Sequence, residues 1–143
     1  MYPFRKLAVW EKAHALTIRM YSATDGPSTK RFPGLSAQLR RATAAIPTNI
    51  AEGSGHASQA QFNRFLEIAL ASAREADYHL LLAKDLELIS EREYAYLEAR
   101  LSEVQSMLMG LRKRVLERIR QNGKRGGRTA SPLPSPISHL PVD

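Results

Sequence analysis

Between Tyr94 and Val115 the apolar residues fall at Tyr94, Leu97, Leu101, Val104, Leu108, Leu111 and Val115, three and four apart without a lapse. A seam with that period belongs to helices packed side by side with a slight left-handed supercoil, and it is incompatible with strand alternation. The helix that carries it opens at Ser90, with Glu91 and Glu93 in the first turn and basic residues in its last turns. Both placements agree with the helix dipole, so the basic cluster has a structural reason as well as any functional one.

A lone seam has nothing to bury against, so the rest of the chain must supply partners. Residues from about Arg5 to Ala23 place Leu7, Trp10, Ala13, Thr17 and Met20 or Tyr21 on one helical face. "TDGPSTKRFPG" interrupts with two glycines and two prolines. A second helix is expected from Leu35, with Leu39, Ala42, Ile46 and Ile50 on one face and Gly53 and Gly55 ending it. Ser58 suits the N-cap of a third helix, from about Gln59 to Leu88. That helix carries one stripe of Phe62, Leu66, Ala69, Ala73, Ala76, Leu80 and Ala83 and another of Phe65, Ile68, Leu82 and Leu86. Two stripes imply neighbours on two sides. The economical architecture is all-α: an antiparallel up-down-up-down four-helix bundle over residues 1–120 with a kinked second helix. From Gln121 the chain has three glycines, four prolines and no period, so 121–143 is expected to be a disordered tail, basic and then Pro/Ser-rich.

Composition narrows function by exclusion. With no cysteine among 143 residues, the chain has no disulfide framework, thiolate metal site or cysteine nucleophile. The charged N-terminus does not resemble a signal peptide, and no run reaches the ~18 apolar residues of a membrane span. A cytoplasmic protein with no membrane partner is expected. The net charge of +7 is local: residues 1–111 hold 13 basic and 12 acidic groups, whereas 112–128 hold eight basic groups against Glu117 alone. Arg112, Lys113, Arg114, Arg118, Arg120, Lys124, Arg125 and Arg128 are therefore the candidate nucleic-acid-binding residues.

"LRRATAAIPTNIAEGSG", Leu39–Gly55, needs its own account, because Pro47 stands mid-helix. There it removes an amide donor and crowds the carbonyl of Thr43, which costs about 3 kcal/mol in an ordinary helix interior. Apolar periodicity nevertheless continues through it, so a bent helix is expected rather than a loop. Asn49 and Glu52 are then candidates to bond the opened backbone or a neighbouring subunit, with Arg41 three turns before Glu52 on the same face.

This run, with "FRKLAVWEKAHALT" before it and "HASQAQFNRFLEIALAS" after it, closely resembles a known family. It comprises four-helix-bundle proteins encoded within intervening sequences of bacterial large-subunit ribosomal RNA genes, and includes the accessory variability proteins of diversity-generating retroelements. The resemblance spans about Phe4 to Ile119. It rests on Leu7, Val9 and Trp10, on Leu35, Gln38, Arg40, Arg41, Ile46, Pro47, Asn49, Ile50, Ala51, Glu52 and Gly53, and on Phe62, Phe65, Leu66, Ala69 and Glu75. It implies an up-down bundle that assembles into homopentamers. It also implies a structural or interface role for Arg41, Pro47, Asn49, Glu52 and Gly53. From the retroelement members it implies binding to RNA or DNA and to a protein partner such as a reverse transcriptase.

An enzyme is the rival class. His14, His56, His79 and His139 are scattered, and Glu75 with His79 does not make the paired Glu-x-x-His motifs of dinuclear carboxylate bundles. "EGSGHAS" lacks the lysine of a phosphate loop. No catalytic residue, metal or cofactor is expected. Binding remains, either of nucleic acid through the basic end of helix four or of protein by a scaffold without a nucleic-acid role.

Overall fold

The structure, a computed structural model, describes residues 2–126. After a single 3-10 turn at Phe4–Lys6, four helices follow: α1 (Ala8–Ala23), α2 (Pro33–Ser54), α3 (Gln59–Asp85) and α4 (Glu91–Gly126). A second 3-10 turn, Pro27–Arg31, lies between α1 and α2. No strand occurs among the described residues.

Local chemistry sets most of these boundaries. α2 begins at Pro33, two residues before the expected Leu35, because proline's fixed φ and missing amide suit the first helical position. Ser58 caps α3 as expected, its hydroxyl accepting from the Gln61 amide at 3.3 Å. The Ser90 hydroxyl does the same for the Glu93 amide of α4 at 3.0 Å. α3 stops at Asp85 rather than Leu88. Glu87 takes a left-handed φ of 62°, and the Leu88 amide folds back on the Ala83 carbonyl at 2.8 Å, the bonding of a Schellman cap. α4 runs on to Gly126, so the first residues of the expected tail are helical instead. The remainder of that segment, with Arg128 and His139, lies outside the described residues.

Each helix packs on its neighbours in sequence and α1 closes against α4, while the backbones of the diagonal pairs α1/α3 and α2/α4 stay apart. Two ion pairs fix the α1/α4 register: Lys12 meets Glu103 at 3.0 Å, and Arg19 reaches both carboxylate oxygens of Glu93 at 2.9 and 3.0 Å. As α1 advances, α4 runs back, so the two are antiparallel. Arg112 and Glu67, at 3.0 Å, do the same for α3 and α4.

The α4 seam from Leu97 to Val115 is buried at every expected position, and so is the first α3 stripe from Phe62 to Ala83. The second α3 stripe is only partly covered, with Ile68 39% exposed. The expected face of α1 is corrected in part. Its core residues are Leu7, Val9, Ala13, Leu16 and Met20; Trp10 and Thr17 lie half-buried on the flank beside α2, and Tyr21 is exposed. A helix with four alanines among its sixteen residues supports two neighbouring faces, and contact with α4 selects between them.

Candidate functional site

Pro47 is buried and α2 continues through it without interruption. The carbonyl it deprives of an amide, that of Thr43, lies 3.4 Å from the Thr17 hydroxyl, which also donates to Ala13 of its own helix at 2.8 Å. Polar residues around the proline bond to their own helix: Asn49 Nδ2 donates to the Ala45 carbonyl at 2.7 Å and the Thr48 hydroxyl to Ala44 at 2.8 Å. Asn49 thus bonds the carbonyl one turn before it and not the Thr43 carbonyl that Pro47 opens.

Gly53 does not end α2 with a left-handed turn; no glycine among the described residues has a positive φ. Its role is close approach. A Cβ there would stand 2.8 Å from Phe62 Cδ1 and 2.8 Å from Phe65 Cβ, well inside the roughly 3.5–4.0 Å of a comfortable carbon contact. The missing side chain thus lets the end of α2 seat on the first turns of α3.

Arg41 and Glu52 differ from these. Both are exposed on the outer face of α2, and neither makes an ion pair or hydrogen bond among the described residues. The neighbouring Arg40, which charge patterning does not single out, is the arginine engaged inside the chain. Its guanidinium donates to the Thr24 hydroxyl at 2.7 Å and to the Thr24 and Tyr21 carbonyls at 3.0 and 3.2 Å, and it lies 4.7 Å from the Tyr21 ring centre. α1 has no basic residue in its own last turn, so α2 supplies the positive charge that its C-terminus favours. That absence is the signal in the sequence.

Between α1 and α2 runs a surface groove made of two cavities of about 770 Å³ each, which share Ala44 and Thr48. One end carries Lys30, Arg40 and Arg41 with Asp25; the other carries Trp10, His14, Glu52 and His56. His14 stacks on Trp10 at 4.9 Å and His56 on Phe65 at 5.2 Å, so both imidazoles are held by aromatic packing. Among the described residues no three His, Asp or Glu side chains are grouped to hold a metal.

The structure sorts the basic end of α4. Arg112 is half-buried and committed to Glu67, whose carboxyl is held below the ordinary glutamate range chiefly by hydrogen bonds from Arg112 and then Asn63. Arg114 and Arg118 are half-buried, whereas Lys113, Arg120, Lys124 and Arg125 are exposed. Ile119 is the last residue of α4 packed against the core. Past it the helix projects about 10 Å at roughly 1.5 Å per residue and carries Arg120, Lys124 and Arg125 into solvent. Met109 and Leu116, 53% and 38% exposed, line a shallow cavity of about 540 Å³ with Lys113 and Arg120. No helix of the described residues is long and apolar enough to cross a membrane.

A family model described as "23S rRNA-intervening sequence protein" matches residues 5–110. A crystal structure of a protein of unknown function from the S23 ribosomal protein family of Bacteroides thetaiotaomicron VPI-5482 is 27% identical with a TM-score of 0.69. The alignment covers 74% of this chain and 99% of that one. No curated protein matches.

Proposed function

This chain belongs to the 23S rRNA-intervening sequence protein family, and from that premise we propose that it is a non-enzymatic, homo-oligomeric accessory protein of the cytoplasm that binds nucleic acid through the basic end of α4. The observation that carries the reading is the projecting last turns of α4, where Arg120, Lys124 and Arg125 are exposed beyond the packed bundle. Cations set on a helix outside the core reach phosphates without unpacking anything. An oligomer, expected from resemblance to be a pentamer, multiplies them into one positive surface. Recognition by charge and shape follows, so affinity falls linearly with salt on logarithmic axes.

Charge reversal tests this directly. Arg120→Glu, Lys124→Glu and Arg125→Glu together leave the Arg112–Glu67 pair, Lys113 and the core untouched, and should abolish retention on RNA or duplex DNA at low salt without loss of helicity. Undiminished binding would reject the site. A protein that assembles but ignores nucleic acid under every condition would instead be a protein scaffold.

A further inference from the structure

The outer faces of α2 and α4 are complementary along their length. On α2, Arg41 and Glu52 lie eleven residues apart on one face, about 16 Å at roughly 1.5 Å per residue, and both lack an intrachain partner among the described residues. On α4, Glu98 and Lys113 also lack a partner, and with Met109 and Leu116 they face away from the seam. Laid parallel with Arg41 opposite Glu98, the helices bring position 109 level with Glu52. The Met109 side chain then meets the cavity lined by Trp10, Pro47, Ala51 and His56. Lys113, one turn on, is within a lysine's reach of Glu52. Antiparallel docking would set Arg41 against Lys113, like charge against like.

We propose that the α1/α2 groove of one copy receives the outer face of α4 of a second copy in parallel orientation, with Arg41–Glu98 and Glu52–Lys113 as intersubunit pairs and Met109 as the apolar anchor. The occupant is a second copy because charges of both signs and the exposed apolar residues match end to end within this one sequence. The topology fits as well. α2 and α4 stand at diagonal corners of the bundle and run in the same direction, so rotation about an axis along the bundle places α4 of one copy parallel to α2 of the next. Each subunit then uses two different faces, a heterologous contact that propagates until a ring closes. The inference rests on the oligomeric reading above and deepens it by naming the surfaces.

The test is the mass in solution, by light scattering, of the wild type, Arg41→Glu, Glu98→Arg and the double swap, with helicity followed by circular dichroism. Like charges across an interface are strongly disfavoured, so each single variant should weaken assembly by at least about tenfold, and the swap should restore it. An assembled wild type whose single variants assemble equally well overturns the proposed surfaces but not the oligomer. A monomeric wild type at all concentrations overturns both. As a second readout, Glu52→Cys with Lys113→Cys in this cysteine-free chain should give a ladder of covalent multimers with a short bis-maleimide. The bundle separates the two sites within one copy, so a product confined to single chains also overturns the arrangement.

Discussion

Adding one methyl group at Gly53 should destabilise the bundle although it improves helix propensity. The new Cβ would lie 2.8 Å from Phe62 Cδ1 and 2.8 Å from Phe65 Cβ, about 0.7–1.2 Å closer than carbon contacts prefer. Phe62 is fully buried, and the Phe65 Cβ is fixed to the backbone of α3. Neither can turn away, so the end of α2 must lift off α3. Overpacking of this kind costs about 1–3 kcal/mol, against about 0.5–1 kcal/mol gained by replacing glycine with alanine in a helix. The net for Gly53→Ala is a loss of about 0–2.5 kcal/mol, centred near 1 kcal/mol, which lowers the melting temperature by roughly 3–4 °C in a domain of this size. Gly110→Ala is the internal control. Its Cβ would meet only the end of the Arg114 side chain, at 3.8 Å, so propensity acts alone and stability rises by about 0.5–1 kcal/mol. Urea and thermal unfolding of both variants measure the contrast. A Gly53→Ala as stabilising as Gly110→Ala would refute the close approach of α2 on α3.

Glu87→Gly should stabilise by about 1 kcal/mol in urea titrations, because a left-handed φ of 62° strains any residue with a Cβ. The depressed Glu67 carboxyl gives a signed pH effect. Its charged form favours the folded state above the ordinary glutamate range, and that contribution disappears as pH falls through the lowered folded-state value. Glu67→Gln should therefore flatten the acid limb of a stability profile, and the effect should shrink with salt because the pair is exposed. For the charge-reversed α4 variant, the salt slope of any residual binding should fall by about one for each phosphate that is no longer neutralised.

The residues legible in the sequence share one property: their environment is set by a period longer than any local accident. Leu97 to Val115 and Phe62 to Ala83 hold their faces over several turns, so burial can be read from spacing alone. Ser58 and Ser90 are readable for a different reason, since a hydroxyl before a helix has one dominant use. Where two faces are nearly equal in apolar content, as on α1, only contact with α4 can choose Leu16 over Thr17. Glu87 ends α3 without the glycine that usually signals such a turn. α4 passes Gly123 and runs on to Gly126, although glycines of this kind usually signal a helix end, so its length is not legible from the residues there. At the candidate site the basic cluster is legible as charge, but the division between committed Arg112 and exposed Lys113 depends on Glu67, 45 residues earlier in sequence. The different fates of Arg40 and Arg41 depend likewise on where α1 ends.

Whether this protein is an assembled binder of nucleic acid is decided by light scattering on the purified chain at low and moderate salt, with and without a structured RNA. A single oligomer, fivefold by family resemblance, should gain mass with RNA at low salt and give it up as salt rises. An oligomer whose mass is indifferent to RNA at every salt concentration would contradict nucleic-acid binding, and a monomer would contradict the assembly on which the basic surface depends.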